Sequence, residues 1–229
     1  MFSIFRRPSV IHLDCFTPYE DVVKLFPISD ASSYLPKWFK DIPPKVKYQG
    51  PDRGTMRSCP GVNDLFKKGF IIPSWKDFYF EVQNGIANVV PQEDGENHHP
   101  SQWGKGLADY SHVKLLAPWL IKEKTGVDFI FSNAYWYKNM HQAFVPNGIV
   151  NYKYQSSANI NMLVHKNIFP KEFTIDAGEP IAHCIPLSDK NIKLHLHAVS
   201  RDEFEKLQPY GYGFANQYYR SKKILEGKK

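Results

Sequence analysis

Cysteine is scarce in this sequence: three residues among 229, at positions 15, 59 and 184. An odd number without close spacing excludes a disulfide framework and a cysteine-built zinc site, and fits a reducing compartment. Long hydrophobic runs are missing too. The opening MFSIFRRPSV holds no apolar stretch long enough for a signal peptide or a membrane helix. The chain is therefore expected to be soluble and made in the cytoplasm. No glycine-rich phosphate loop is present; Gly211-Tyr212-Gly213 is a turn with aromatic flanks. Without a nucleophile elbow or a reactive-cysteine context, Ser/His/Asp and Cys/His catalysis have no support. Internal repeats, low-complexity tracts and nucleic-acid-binding motifs are all lacking.

Aromatic residues, by contrast, are abundant. Sixteen Phe, thirteen Tyr and five Trp make up 15% of the chain. Large rings suit sheet faces and contact surfaces, so the composition points to a β-rich protein with an aromatic core or recognition surface. A hydrophobic content of 42% supports a real core, and 23% charge is ordinary for a globular chain. The net charge of +6 is spread over Arg6-Arg7, residues 37–47, Lys67-Lys68 and the segment 220–229. Such a spread gives mild attraction for phosphate or acidic partners, and solvated surface charge is its ordinary reading.

Along the chain, residues 1–74 read as an N-terminal arm of short strands, turns and small helices. A strand is predicted around Val10–Phe16. Thr17-Pro18-Tyr19-Glu20 is a capping signature for a helix to about Phe26. Short helices follow at 33–39 and 59–69, the second closed by Gly69, with a loop at 45–55 between them. A β body is expected over 75–200, its first edge strand at 70–73. Phe78, Phe80 and Val82 alternate with Tyr79 and Glu81, and Asn84-Gly85 favours a tight hairpin with a return strand over 86–90. Residues 91–111 read as a long loop, and strands resume at 113–120 and 127–131. Ile192, Leu194 and Leu196 alternate with Lys193, His195 and His197. Ser200-Arg201-Asp202-Glu203 opens a helix, and a basic terminal helix over 214–226 completes a tail at 201–229.

The stretch 148–187 carries the clearest pattern. Val150, Tyr152 and Tyr154 alternate with Asn151 and Lys153. Ile160, Met162 and Val164 repeat the alternation after the turn Gln155-Ser156-Ser157. Phe173 and Ile175 lead into the turn Asp176-Ala177-Gly178-Glu179, and Ile181, Cys184, Ile185 and Leu187 form an apolar run. This order, G-I-V-N-Y-K-Y, hairpin, F-T-I-D-A-G-E-P-I-A-H, resembles the C-terminal core of the dUTPase family. The resemblance covers roughly forty residues and implies a dUTPase-like β-clip or jelly-roll body, of a type that commonly forms trimers. At the position of that family's catalytic Asp stands Asn151, and an amide cannot act as a general base. The family's Arg-Ser-Gly phosphate motif is absent. A wider set of segments also resembles an uncharacterised family of phage and bacterial proteins of similar length: I-H-L-D-C-F-T, L-P-K-W-F-K, C-P-G-V-N-D, H-H-P-x-Q and A-G-E-P-I-A-H-C-I-P-L. That likeness implies one integrated unit over 1–229 and a phage origin.

Candidate site residues follow from these patterns. Asn151 and Tyr154 mark an inherited binding pocket, against plain strand and turn chemistry. His98, His99 and Trp103 cluster in the long loop and could bind metal or phosphate. Adjacent residues of an extended chain point apart, however, so both imidazoles rarely meet one ion. His195 and His197 lie two apart on a strand and so share a face. With His183 from another strand they could hold iron or another divalent metal, as in a cupin-like or iron-oxygenase-like enzyme. A solvent-facing or interface row is the alternative.

Three function classes therefore compete. The leading one is a non-enzymatic phage-encoded protein acting in assembly or binding, without a cofactor. It would act as a homo-oligomer or with other phage proteins, in the host cytoplasm when made or in the virion. The others are a metal-dependent enzyme using the histidines, and a nucleotide-binding protein without hydrolysis. Aromatics at Tyr135-Trp136-Tyr137 and over 209–219 are the expected contact regions.

Overall fold

Alternating burial along the chain becomes strand after strand. The computed structural model describes residues 10–47, 49–97, 105–134, 136, 143–208, 222–224 and 227. In chain order these form β1 (Ile11–Thr17), α1 (Glu20–Leu25), β2 (Ser29–Asp30), a 3-10 turn (Ala31–Tyr34), α2 (Lys37–Asp41), β3 (Lys45–Lys47), β4 (Asp52–Gly54) and α3 (Pro60–Lys67). Next come β5 (Phe70–Pro73), β6 (Phe78–Gln83), β7 (Ile86–Val90), β8 (Gly95–Asn97), β9 (Tyr110–Leu115), β10 (Leu120–Glu123), β11 (Asp128–Asn133) and β12 (Ala143–Phe144). The remainder is β13 (Gly148–Asn151), β14 (Ile160–His165), β15 (Glu172–Ile175), β16 (Pro180–Pro186), β17 (Ile192–Ala198) and α4 (Arg201–Leu207). The chain is mostly β.

A five-stranded antiparallel sheet, β13-β11-β16-β5-β2, organises the molecule. Beside it stand a three-stranded sheet β10-β1-β17, a four-stranded sheet β12-β14-β9-β8, a three-stranded sheet β15-β6-β7 and the hairpin β3-β4. β1 is a central strand, antiparallel to β10 and parallel to β17 over its whole length. Its alternate residues Ile11, Leu13 and Cys15 are fully buried. They meet Phe70 and Ile72 of β5, Phe78 and Phe80 of β6, Leu115 of β9 and Phe129 of β11 in one contiguous core. Burying each such side chain is worth about 1.5–3 kcal/mol. All four residues of β5 are buried. Phe70 and Ile72 face that core, while Ile71 faces the other way and packs with Ala31, Ala134 and Tyr34. A strand covered on both faces reads as a continuous apolar run, as this one does.

Several expected elements form where the pattern placed them. Asn84 and Gly85 both take positive φ (50° and 75°) and join β6 to β7 in register. Ser200 caps α4, its hydroxyl accepting from the Glu203 N–H at 3.2 Å. Gly69 closes the α3 segment at φ +84°.

Other expectations are corrected. Within the expected loop 45–55, Lys45–Lys47 and Asp52–Gly54 pair as strands β3 and β4; both are wholly exposed, so no apolar alternation marked them. The run 113–120 divides into β9 and β10, because Pro118 between them cannot donate to a ladder. Thr17 belongs to β1 and is buried, and α1 starts at Glu20 without a side-chain cap. The segment 33–39 divides between the 3-10 turn and α2. Tyr152 and Tyr154 do not continue β13: the strand stops at Asn151, whose carbonyl accepts from the N–H of Tyr154 and Gln155 in a turn. Of the terminal helix expected over 214–226, residues 222–224 are helical and all the rest lies outside the described residues. Among the described residues no helix is long and apolar enough to cross a membrane.

Candidate functional site

The outer face of the five-stranded sheet is roofed by the arm. Leu65 and Phe66 of α3 and Ala31 of the 3-10 turn lie over Ile71 of β5, Ile130 of β11 and Ile185 of β16. A pocket of about 260 Å³ remains between the two layers. Trp136 closes a further side, and its rings and those of the arm form a chain of contacts. Phe39 lies 4.8 Å from Phe66, Phe66 6.5 Å from Trp136, and Trp136 5.8 Å from Trp38. Trp136 sits at φ +86°, a left-handed backbone that costs a bulky residue about 1–3 kcal/mol. The Trp38 indole N–H holds it there, donating to the Trp136 carbonyl at 3.2 Å.

Polar groups in this pocket are few. His183 of β16 is only 7% exposed, and its Nε2 lies 2.7 Å from the Lys68 carbonyl oxygen. A carbonyl can only accept, so Nε2 carries the hydrogen. Burial pushes the pKa of His183 below its ordinary value, against a smaller opposing effect of the Lys68 carbonyl. The ring is therefore neutral at pH 7, with Nδ1 an acceptor. Among the described residues no group hydrogen-bonds to that Nδ1. Ser132 of β11 directs its hydroxyl hydrogen to the carbonyls of Asn133 (3.2 Å) and His183 (3.5 Å), leaving oxygen lone pairs. Asn147, exposed, completes the polar lining. Among the described residues no carboxylate, lysine, arginine or cysteine lines the pocket.

Asn151 serves another purpose. Its Nδ2 donates to the Gly126 carbonyl at 3.0 Å and to Asp128 Oδ1 at 2.7 Å, and its Oδ1 accepts from the Lys153 N–H at 3.2 Å. The same loop is held from its other end by buried Glu123. That carboxylate accepts from the N–H groups of Thr125 (2.6 Å), Gly126 (2.6 Å) and Val127 (3.2 Å), and from the Thr125 hydroxyl. Tyr154 lies under two ammonium groups, Lys153 at 5.6 Å and Lys222 at 5.9 Å from its ring centre. A hollow of about 160 Å³ nearby is lined by Tyr152, Gln155, Asn159 and Asn161 but not by Asn151 or Tyr154.

The three histidines of the metal reading are not brought together. His183 belongs to the five-stranded sheet and faces the arm. His195 and His197 lie on β17, in the β10-β1-β17 sheet. There they do share a face, as the spacing predicted, but their partners come from β1. His195 stacks on His12 with ring nitrogens 2.9 Å apart. His197 stacks on Phe16, and its Nε2 lies 2.9 Å from Asp14 Oδ1. Among the described residues no group of three His, Cys, Asp or Glu is placed to hold a metal ion. His98, His99 and Trp103 lie outside the described residues.

Leu65, Phe66 and Ser132 carry no site signal in the sequence, and Trp136 carries only the expectation of a contact region. Leu65 and Phe66 read as the apolar side of a short helix, and Ser132 as an ordinary strand position. Only the crossing of the arm over the sheet brings them to His183. Comparison with family models, with curated proteins and with solved structures finds no match.

Proposed function

We propose that this chain is a non-enzymatic binding protein, acting by holding a ligand or partner rather than by transforming one. The supporting observation is the pocket under α3. It offers apolar and aromatic walls with a neutral histidine; its Ser132 hydroxyl is engaged by main-chain carbonyls, and among the described residues no carboxylate, lysine, arginine or cysteine lines it. Pockets of this make-up, mostly apolar with a few convergent polar groups, are where small ligands bind. We keep the dUTPase-like or jelly-roll reading of the β body, and a phage setting in assembly or binding, as parts of the same proposal. A homo-oligomer or other phage proteins would be the partners.

The test is a fragment screen by ligand-observed NMR on the full chain, repeated on Ala134→Leu, which fills the pocket from β11's end. Fragment binding to the wild-type protein that disappears in the filled variant, with its melting temperature kept, supports the reading. Turnover of nucleotides, or metal-dependent oxygen consumption, by the purified wild-type protein would overturn it.

A further inference from the structure

We infer that the pocket under α3 takes a flat one- or two-ring aromatic molecule bearing its own N–H or O–H, which it donates to Nδ1 of His183. This rests on the binding reading above and adds the ligand class to it.

Three features of the pocket converge on that class. The first is hydrogen-bond polarity. His183 spends its one hydrogen on the Lys68 carbonyl, and Ser132 spends its hydroxyl hydrogen on main-chain carbonyls. What these two buried groups have left is lone pairs, so a hydrogen bond to either must take its hydrogen from the ligand, while the Asn147 amide is exposed and open to water. A ligand placing only an acceptor against His183 and Ser132 would bury its polar atom against theirs. The second is charge. Among the described residues no ionic side chain lines the pocket, so a charged ligand would lose its hydration without a partner from them. The third is shape and size. Phe66 and Trp136 present rings 6.5 Å apart at 58°, and the opposite wall is the flat sheet face of Ile71, Ile130 and Ile185. An apolar cavity of roughly 150 Å³ holds benzene; about 260 Å³ leaves room for a second fused ring. Offset or edge contacts with the two wall rings favour an aromatic over an aliphatic body.

The experiment titrates full-length protein, ¹⁵N-labelled at histidine, with indole, 1-methylindole and naphthalene, three probes of similar shape. Indole is expected to bind and to shift the His183 Nδ1 resonance. Replacing its N–H with N–CH₃ is expected to weaken binding roughly tenfold and to abolish that shift. Because the comparison is made on the wild-type chain, it does not depend on any variant folding. His183→Phe should bring indole and 1-methylindole to equal affinity. N-acetyltryptophanamide distinguishes the source of the ring: binding tighter than indole would locate the donor on a protein side chain, weaker binding on a free molecule. Equal binding of indole, 1-methylindole and naphthalene to the wild-type protein overturns the donor assignment but leaves the binding reading standing. No fragment of any class in the pocket overturns both.

Discussion

Asn151 donates from its side-chain amide to the Asp128 carboxylate at 2.7 Å. That contact, with the second one to the Gly126 carbonyl, makes Asn151 the tie between the end of β13 and the loop entering β11. The position matching a catalytic Asp in the dUTPase-like pattern is thus occupied by a residue whose amide hydrogens are both engaged. An acid at this position should damage the fold rather than create an enzyme. Asn151→Asp would set two carboxylates against each other and leave the Gly126 carbonyl without its donor. A loss of about 1–3 kcal/mol is expected, read as a lower urea midpoint with unchanged m. Neither protein should release pyrophosphate from dUTP; release by the Asp variant would refute the structural role assigned to Asn151.

His183 makes stability depend on pH. Its folded pKa lies below the ordinary 6.5 because burial disfavours the cation. Between the lowered value and 6.5 the unfolded chain binds the extra proton and the folded chain does not, so stability rises with pH across that window. The contribution is complete above 6.5 and is lost as pH falls through the folded pKa. Urea unfolding from pH 7.5 down to 5 should show this loss, and His183→Gln should flatten that part of the profile.

The sequence showed strands more readily than their neighbours. Phe78-Tyr79-Phe80-Glu81-Val82 and the Asn84-Gly85 turn announced the β6-β7 hairpin, because local alternation and turn chemistry were enough. Ser200 with Glu203 announced α4 in the same local way. β3 and β4 left no trace, since a hairpin exposed on both faces needs no alternation. The site was harder to read. His183 was visible as a histidine in an apolar strand, but its partner is a carbonyl 115 residues earlier, at Lys68. Periodicity placed His195 and His197 on one face correctly, yet it could not show that β1 would supply His12 and Asp14 beside them. Long-range pairings decide which side chains meet, and they leave little mark in any short window.

Glu123 is expected to be a stability hot spot. Its buried carboxylate accepts four hydrogen bonds from Thr125, Gly126 and Val127. Glu123→Ala removes the acceptor of all four donors of a partly exposed turn and should cost about 1–3 kcal/mol. Glu123→Gln, which keeps an acceptor oxygen, should cost less. Thermal melts of the two variants, both below wild type and in that order, are the check; an Ala variant as stable as wild type would mean the turn holds without it.

Gly69, at the joint between α3 and β5, should tolerate no side chain. A Cβ there would fall 2.0 Å from the Cys184 carbonyl oxygen, and φ is +84°. Since the obstacle is main chain of β16, it cannot rotate away. Gly69→Ala should shift the arm off the sheet or prevent folding, through strain added to the left-handed backbone cost of about 1–3 kcal/mol. The expected result is a sharply lowered melting temperature, whereas Gly61→Ala, where nothing lies within 4 Å, should change it little.

The three cysteines should differ sharply in reactivity. Cys59 is exposed, while Cys15 and Cys184 are buried. The buried pair lies where β1 and β16 face each other across the core, with the Tyr152 hydroxyl 3.5 Å from Cys184 Sγ. Burial pushes the Cys184 thiol up to about 12, against the lowering effect of the Tyr152 hydrogen bond. Burial raises Cys15 as well, with Asp14 adding to the effect. Since the thiolate is the reactive form, neither buried thiol should react in the native state at neutral pH. Titration with an aromatic disulfide reagent should therefore release one fast equivalent from native protein and three from protein in guanidinium chloride. Cys59→Ser should remove the fast equivalent and leave the melting temperature unchanged. A second fast thiol in the native protein would show that the β1–β16 contact opens on the timescale of the reaction.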